Sequence, residues 1–246
     1  MPHDSGSRHV VILAPMPLEM NAIVTAFGLS PISEVKGAVW TGRVGNSDVT
    51  AIHIGMGPPL TRAATLRLFD ETVPGSVPVE HVMIAGICGG LDADLEVGTL
   101  INPEIVIEHA SGATYRHTPP GDAPQAGKLI TTEGVSLDLE LSRRFLNDGC
   151  LGVDMESSAV AEVCEAQGCR WSVYRCIGDR HFDGLLDERI VALTNPDGSG
   201  NPAEIERLIA GEPELVAKLE RLSHDTARAA RLAAEAAVRG CLALDA

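Results

Sequence analysis

The chain has 246 residues, of which 45% are hydrophobic and only 3% aromatic, so it can bury a sizeable aliphatic core. A formal net charge of −15 argues against a role in wrapping nucleic acid, because such proteins concentrate Lys and Arg. No apolar run approaches the roughly 18 residues of a membrane span, and residues 1–8 lack the apolar core of a signal peptide. We expect a soluble, cytoplasmic protein with a disordered tail over residues 1–8 and one domain over residues 9–246.

Apolar runs alternate with helical patterns along the first part of the chain, as is typical of strands buried on both faces. The predicted elements are a strand over His9–Ala14, a helix over Leu18–Phe27, a strand over Val49–Ile54, a helix over Leu60–Phe69, a strand over His81–Ala85 and a strand over Leu100–Ile107 that Pro103 interrupts. Proline precedes both helices, at a position where its missing N–H has no partner to lose.

The second part of the chain begins with a long loop and ends in a helical tail. The predicted elements are a loop over 110–127, a helix over Asp138–Phe145, a helix over Met155–Ala166, a strand over Ser172–Ile177, a loop over Asn195–Pro202 and one long or two shorter amphipathic helices over Pro213–Val238. Strands that alternate with helices predict one α/β domain with a largely parallel sheet. In such sheets the binding site lies at the carboxyl ends of the strands.

The six cysteines mostly lie in apolar surroundings and form no Cys-x-x-Cys pair, which indicates reduced, buried thiols. The eight histidines are scattered, and none pairs with another His or Cys at zinc-ligand spacing. We expect neither a metal nor an organic cofactor, and among the histidines only His181, close to Asp179, deserves notice.

Two segments place glycine or a carboxylate directly at the end of a predicted strand. The run Gly86-Ile87-Cys88-Gly89-Gly90 lets the backbone approach a ligand, although glycine turns also arise for structural reasons, and no Lys follows as in a phosphate-binding loop. Asp179 follows the strand over Ser172–Ile177, a frequent catalytic position, whereas the neighbouring Arg175 and Arg180 can simply form ion pairs.

Two further segments place carboxylates at the start of a helix. Glu19 lies in the first turn of the first helix, and Asp154 and Glu156 lie at the start of the helix that ends at Ala166. Carboxylates in these positions complement the helix dipole, so each has a purely structural explanation. None of the four segments is specific by itself.

Taken together and in order, five segments resemble the family of purine nucleoside phosphorylases and methylthioadenosine/S-adenosylhomocysteine nucleosidases. They are APMPLEMNAI, GMGPPLTRAA, AGICGGLDADLEVGTLI, LGVDMESSAVAEVC and YRCIGD, and they extend from about residue 9 to residue 180. The resemblance implies a three-layer single domain whose twisted, mixed, mostly parallel sheet is flanked by helices. It also implies cleavage of the N-glycosidic bond of a purine nucleoside, with adenine as the favoured base, and a homodimer or larger homo-oligomer.

The resemblance assigns roles to individual residues. Glu156 resembles the carboxylate that binds the ribose hydroxyls, with Met155 packed against the sugar, and Asp179 resembles the acid that protonates N7 of the purine. Glu19 resembles the carboxylate that positions the attacking water in hydrolytic members. Asp179 must hold a proton near neutral pH, which requires burial. The remaining positions expected to bind substrate are Gly57, Gly86, Ile87, Cys88, Gly89, Asp154, Arg175 and Gly178.

The nucleophile can be water or phosphate. Phosphorolytic members of the family hold phosphate with arginines, whereas here the first turn carries Glu19, and Ile84 and Ile87 stand where Arg and Ser would help. A phosphate dianion is poorly held by such residues, so we favour water. Phosphate as a co-substrate stays open, because Arg43 and Arg62 can approach the site from a turn or from a neighbouring subunit.

The chain also departs from the family. Gly178 replaces the Ser that usually precedes the catalytic Asp, and Thr131–Ser136 falls where an aromatic residue normally stacks on the purine. The tail resembles that of phosphorylase-like relatives associated with hopanoid synthesis, which act on an adenosyl-linked lipid. The 5′ substituent is therefore open. A nucleoside-binding protein without catalytic activity is the alternative from a different functional class.

Overall fold

The computed structural model describes residues 7–32, 39–70, 77–117, 119–121, 124–212 and 215–245. Within these residues, eleven strands form one sheet: β1 (Arg8–Ala14), β2 (Ser30–Pro31), β3 (Val39–Val44), β4 (Ser47–His53), β5 (His81–Gly90), β6 (Leu100–Ile101), β7 (Ile105–Glu108), β8 (Thr114–Tyr115), β9 (Lys128–Thr131), β10 (Cys150–Asp154) and β11 (Arg170–Arg180). The helices are α1 (Pro17–Phe27), α2 (Pro58–Arg67), α3 (Leu139–Asn147), α4 (Ser157–Ala166), α5 (Glu188–Val191), α6 (Pro202–Gly211) and α7 (Leu215–Ala243), and a short 3-10 helix (His181–Asp183) follows β11.

Strand β5 is the centre of the sheet. It pairs in parallel with β1 and β11, and through Gly89 and Gly90 it pairs antiparallel with β10. Further parallel pairs join β1 to β4, β10 to β9 and β9 to β7. The pairs β2–β3, β3–β4 and β7–β8 at the two edges are antiparallel. The predicted α/β fold with a mixed, mostly parallel sheet is confirmed.

The apolar run of β1 explains how the sheet is covered on both faces. Val10 and Ile12 belong to a buried cluster that includes side chains of α1 and α7. Val11 and Leu13 point the other way, into a cluster that includes Val160 and other residues of α4. Because successive side chains of a strand face opposite sides, both faces of β1 must be apolar. The result is a layer of helices on each side of the sheet.

Two predicted strands are too short. The strand expected over His81–Ala85 continues through the glycine run to Gly90, and the strand expected over Ser172–Ile177 extends over Arg170–Arg180. The C-terminal half of β5 stays extended because β11 pairs with β5 along its length and β10 pairs with its last residues. The glycines are therefore part of the sheet and not a turn that follows it.

The expected tail over residues 1–8 is also too long. Arg8 is the first residue of β1, and the Ser7 hydroxyl donates a hydrogen bond of 2.6 Å to Asp48. Residues 1–6 lie outside the described residues. Five strands were missed because they are short or of mixed polarity: β2, β3, β9, β10, and β8, which lies within the loop expected over 110–127. No helix in the described part of the chain is long and apolar enough to span a membrane.

Helix α7 packs closely against β11 at Gly240, where an added Cβ would overlap the hydroxyl group of buried Tyr174. We predict that Gly240→Ala lowers the free energy of unfolding by about 1–3 kcal/mol, as measured by urea denaturation. Gly211→Ala is the matched control, because nothing lies within 4 Å of its added Cβ and Ala is the better helix former. Equal stabilities of the two variants would contradict this close packing.

Candidate active site

A cleft of about 380 Å³ opens where β1, β5, β10 and β11 end. Glu19, Glu156 and Asp179, which sequence reasoning placed at one site, all line it, together with Met155, Asp154, Ile87, Cys88 and Gly89. This volume is within the range of about 300–1,000 Å³ that is usual for small-molecule sites. Three helix starts or strand ends far apart in sequence thus converge on one cleft.

Beneath the floor of the cleft lies Arg175, whose side chain is fully buried on β11. Its guanidinium group contacts three carboxylates: Nε lies 3.0 Å from Asp154 Oδ2, Nη2 lies 2.8 Å from Glu156 Oε2, and Nη1 lies 3.4 Å from Glu19 Oε1. Arg175 was expected among the substrate-binding residues. It does not line the cleft and instead holds the carboxylates that do.

Glu19 contacts both the first helix and the central strand. Its Oε2 accepts a hydrogen bond of 2.9 Å from the Met16 N–H, and its Oε1 accepts one of 2.7 Å from the Ile87 N–H. Burial raises the pKa of Glu19 to about 7, against the opposing attraction of Arg175. Glu19 therefore caps the start of α1 through the Met16 N–H, and the same carboxylate also reaches the cleft.

Gly86, expected to bind substrate, makes room for Glu19. A Cβ at this position would overlap the Glu19 carboxylate, so only glycine allows the side chain to lie against β5. Gly57 likewise supports a carboxylate. Its φ is +91°, and its N–H donates a hydrogen bond of 2.8 Å to Glu156 Oε1. Neither glycine lines the cleft, and both act on it through the carboxylate they contact.

Glu156 and Asp154 are fixed from several directions. Asp154 Oδ1 accepts a hydrogen bond of 2.7 Å from the Thr131 hydroxyl, and Asp154 Oδ2 accepts one of 3.0 Å from the Ser157 N–H. Burial raises the pKa of Glu156 although Arg175 opposes the shift. Two carboxylates at a helix start thus do more than complement a dipole, because both pair with a buried cation.

Asp179 lies at the other end of the cleft floor, where β11 contains an irregularity opposite β5. The register shifts between Ile177 and Asp179, and Asp179 pairs with Gly89. Gly178, expected to bind substrate, lies in this irregularity, where an added Cβ would lie 3.1 Å from the Ile87 side chain, and it does not line the cleft. Bulges of this kind redirect the following side chain.

The Asp179 carboxyl group can hold a proton near neutral pH. Burial, followed by the negative charge of Asp183, raises its pKa to about 7. The burial that Asp179 needs in order to hold a proton near neutral pH is therefore present in the structure.

Apolar and weakly polar groups form the rest of the cleft. Among the described residues that line it, none is Phe, Tyr or Trp, and the segment expected in place of a stacking aromatic contributes Thr132, Gly134, Val135 and Ser136. Sequence reasoning missed the methionines Met16 and Met56. It considered His181 only as a possible metal ligand, whereas the ring forms part of the cleft wall.

The described lining residues also include no Arg or Lys. Arg62 pairs with Glu162 at the surface, 2.6 Å away, and Arg43 donates a hydrogen bond of 3.2 Å to exposed Asn46. Ile87, which the family resemblance places where a Ser would help to hold phosphate, faces the cleft. The described part of the cleft wall therefore presents carboxylates and no cation to an incoming anion.

The model of the Phosphorylase superfamily matches residues 9–126 of the chain. Over these residues, which make up somewhat less than half of its length, the chain is similar to that superfamily. A 5′-methylthioadenosine/S-adenosylhomocysteine nucleosidase from Glaesserella parasuis is 25% identical over 198 residues, which cover 68% of this chain and 84% of the relative.

Two solved structures share the fold over nearly the whole chain. A 5′-methylthioadenosine/S-adenosylhomocysteine nucleosidase from Colwellia psychrerythraea, in complex with adenine, has a TM-score of 0.68 at 18% identity and covers 97% of this chain and 96% of its own. The futalosine hydrolase of Helicobacter pylori has a TM-score of 0.66 at 15% identity and covers 97% of both chains. At these identities the likeness is one of fold.

We predict that Arg175→Met lowers the free energy of unfolding by about 3–5 kcal/mol at pH 8, because it leaves buried carboxylates without their cation. The loss should shrink at pH 5, where the unpaired carboxylates of the variant take up protons more readily than those of the unfolded chain. Urea denaturation at the two pH values measures both effects.

Arg62→Met is the control for this prediction, because its exposed ion pair with Glu162 is worth only about 0–1 kcal/mol. A loss of similar size in the two variants would show that the buried network does not hold the site together.

Proposed function

We propose that this protein hydrolyses the N-glycosidic bond of a purine nucleoside. The observation that carries the proposal is a cleft lined by Asp179, Glu156 and Glu19 at separate points, with no cationic side chain among its described lining residues. Cleavage of this bond passes through a ribosyl cation and releases a purine that carries negative charge. A site that supplies a proton at one end and carboxylates at the other suits both fragments.

Asp179 is the proposed general acid. With its pKa raised to about 7, it holds a proton near neutral pH and can deliver that proton to N7 of the departing purine. Protonation at N7 neutralises the leaving group as the bond from N9 to C1′ breaks.

Glu156 is the proposed ribose-binding residue. Its carboxylate accepts hydrogen bonds from Gly57 and Arg175, and each oxygen keeps a lone pair for a sugar hydroxyl. Its negative charge, held in place before the reaction, stabilises the positive charge that develops on the sugar. Met155, beside it in the cleft lining, provides the apolar contact with the sugar ring.

Glu19 is the proposed residue for the water. Because its pKa is raised to about 7, it is basic enough to accept a proton from a water that attacks C1′. Arg175 is buried beneath the cleft floor and pairs with three carboxylates, so it does not present its charge to a phosphate in the cleft. The side chains and water suffice for this reaction, so the proposal includes no cofactor.

The relatives support an adenine nucleoside as the substrate. The named nucleosidases act on 5′-methylthioadenosine and S-adenosylhomocysteine, and the Colwellia structure contains adenine. The cleft walls contributed by Leu186, Ile190 and Leu222 are apolar and suit a thioether at the 5′ position.

The homo-oligomer implied by the family resemblance stays a prediction, which light scattering after size-exclusion chromatography tests.

We expect the protein to release adenine from 5′-methylthioadenosine and adenosine in phosphate-free buffer, with free sugar as the second product. Chromatography of base and sugar after incubation with and without phosphate measures this. Formation of a sugar 1-phosphate only when phosphate is present would overturn the assignment of water. Tight nucleoside binding without any cleavage would instead identify a binding protein.

Two substitutions test the acid and the base separately. Asp179→Asn should lower kcat roughly 10²–10⁴-fold. In the wild type, kcat/KM should fall above pH 7 as Asp179 loses its proton and below pH 7 as Glu19 gains one, since both pKa values are about 7. Asp179→Asn should remove the alkaline limb of the profile and Glu19→Gln the acidic limb.

Glu162→Gln is the control for the pH profiles, because this carboxylate lies at the surface and pairs with Arg62. An unchanged alkaline limb in Asp179→Asn would assign the acid to another group.

A further inference from the structure

His181 stands next to Asp179 in the cleft, and it has no part in the reaction proposed above. It begins the 3-10 helix after β11, and a Cβ added at Gly89 would lie 3.2 Å from both Nε2 and Cδ2 of its ring. Gly89 is also the register partner of Asp179. The imidazole and the carboxyl group therefore flank the same point of the cleft floor.

The contacts of Ser142 determine which ring nitrogen of His181 carries the proton. The Ser142 hydroxyl, buried on α3, lies 3.0 Å from the Asp138 carbonyl oxygen and 2.6 Å from His181 Nδ1. A hydroxyl has one proton to donate, and a carbonyl oxygen can only accept. Both contacts are hydrogen bonds at once only if Ser142 donates to Asp138 and His181 Nδ1–H donates to Ser142.

The other ring nitrogen is then an acceptor. Burial lowers the pKa of His181, so its ring is neutral near pH 7 and carries a single proton. With that proton on Nδ1, Nε2 presents a lone pair. Within the described residues, no hydrogen bond joins Nε2 to the protein, and the ring is part of the cleft lining.

A purine bound with N7 at Asp179 places its 6-substituent on the same edge as N7. Adenine presents an acceptor at N7 and an amino donor at position 6, whereas a 6-oxopurine presents acceptors at both positions. An acceptor beside Asp179 therefore pairs with the amino group and opposes the oxo group, lone pair against lone pair.

Building on the proposed function, we propose that His181 is a base-recognition residue whose Nε2 accepts a hydrogen bond from the 6-amino group of the purine. Ser142 is its positioning residue, since it fixes the ring tautomer that makes Nε2 an acceptor. This pair selects 6-aminopurines over 6-oxopurines at the end of the cleft where Asp179 supplies the proton.

The test is calorimetric binding of adenine and hypoxanthine to the wild type and to four variants, combined with cleavage of adenosine and inosine. The wild type should bind adenine at least about tenfold more tightly than hypoxanthine, the ratio expected for one hydrogen bond. His181→Leu should weaken adenine binding about tenfold and leave hypoxanthine binding little changed. His181→Gln should bind both bases, because its amide can present either oxygen or N–H.

The two Ser142 variants separate a positioning role from a structural one. Ser142→Ala frees the ring to adopt either tautomer, so the preference for adenine should decrease while hypoxanthine binding increases. Ser142→Thr keeps the hydroxyl and should retain the preference. A general loss of structure would weaken the binding of adenine and hypoxanthine together and would not change the ratio of the two affinities.

The outcomes distinguish this inference from the proposed function. The role of His181 is overturned if His181→Leu keeps the wild-type preference for adenine. It is also overturned if the wild type does not bind adenine or does not prefer it, even if nucleosides are cleaved. Loss of the preference in His181→Leu supports that role even if the wild type cleaves no nucleoside, in which case only the proposed reaction fails.

Discussion

The site depends on one buried guanidinium. Arg175 pairs with Glu19 from the first turn of α1 and with Asp154 and Glu156 from the end of β10 and the start of α4. Removing a charge of this kind from water costs several kcal/mol, and only well-oriented partners offset that cost. The three carboxylates are therefore held in place by the same ion network that their own burial requires.

This network leaves the cleft floor with more negative than positive charge. One guanidinium cannot neutralise three carboxylates, and the pKa of Glu19 rises to about 7 under burial and the neighbouring charge of Glu156. A floor of this charge repels an anion and stabilises a sugar that becomes positive as its bond to the base breaks. The proposed preference for water over phosphate and the proposed stabilisation of the cation thus have one electrostatic origin.

The end of the cleft at Asp179 and His181 has different electrostatics from the end at Arg175. Asp179 has a raised pKa through burial and the charge of Asp183, not through the Arg175 network. The bulge at Gly178 and the ring of His181 both lie against the end of β5, where the glycine run leaves room for them. The proposed general acid and the proposed general base lie at different points of one cleft, and each carboxyl group has its own surroundings.

The sequence by itself determined much of the fold and predicted which carboxylates lie at one site. Continuous apolar runs such as that of β1 indicate strands covered on both faces, and ordered motifs brought Glu19, Glu156 and Asp179 into one hypothesis. It did not determine where β5 and β11 end, because glycine has no strand preference of its own and extends here only through its partners. Nor did it show that Arg175 and Gly86 support carboxylates, or that Ser142 orients His181. Such contacts join residues far apart in the chain, and only the packing of the sheet and helices brings them within hydrogen-bonding distance.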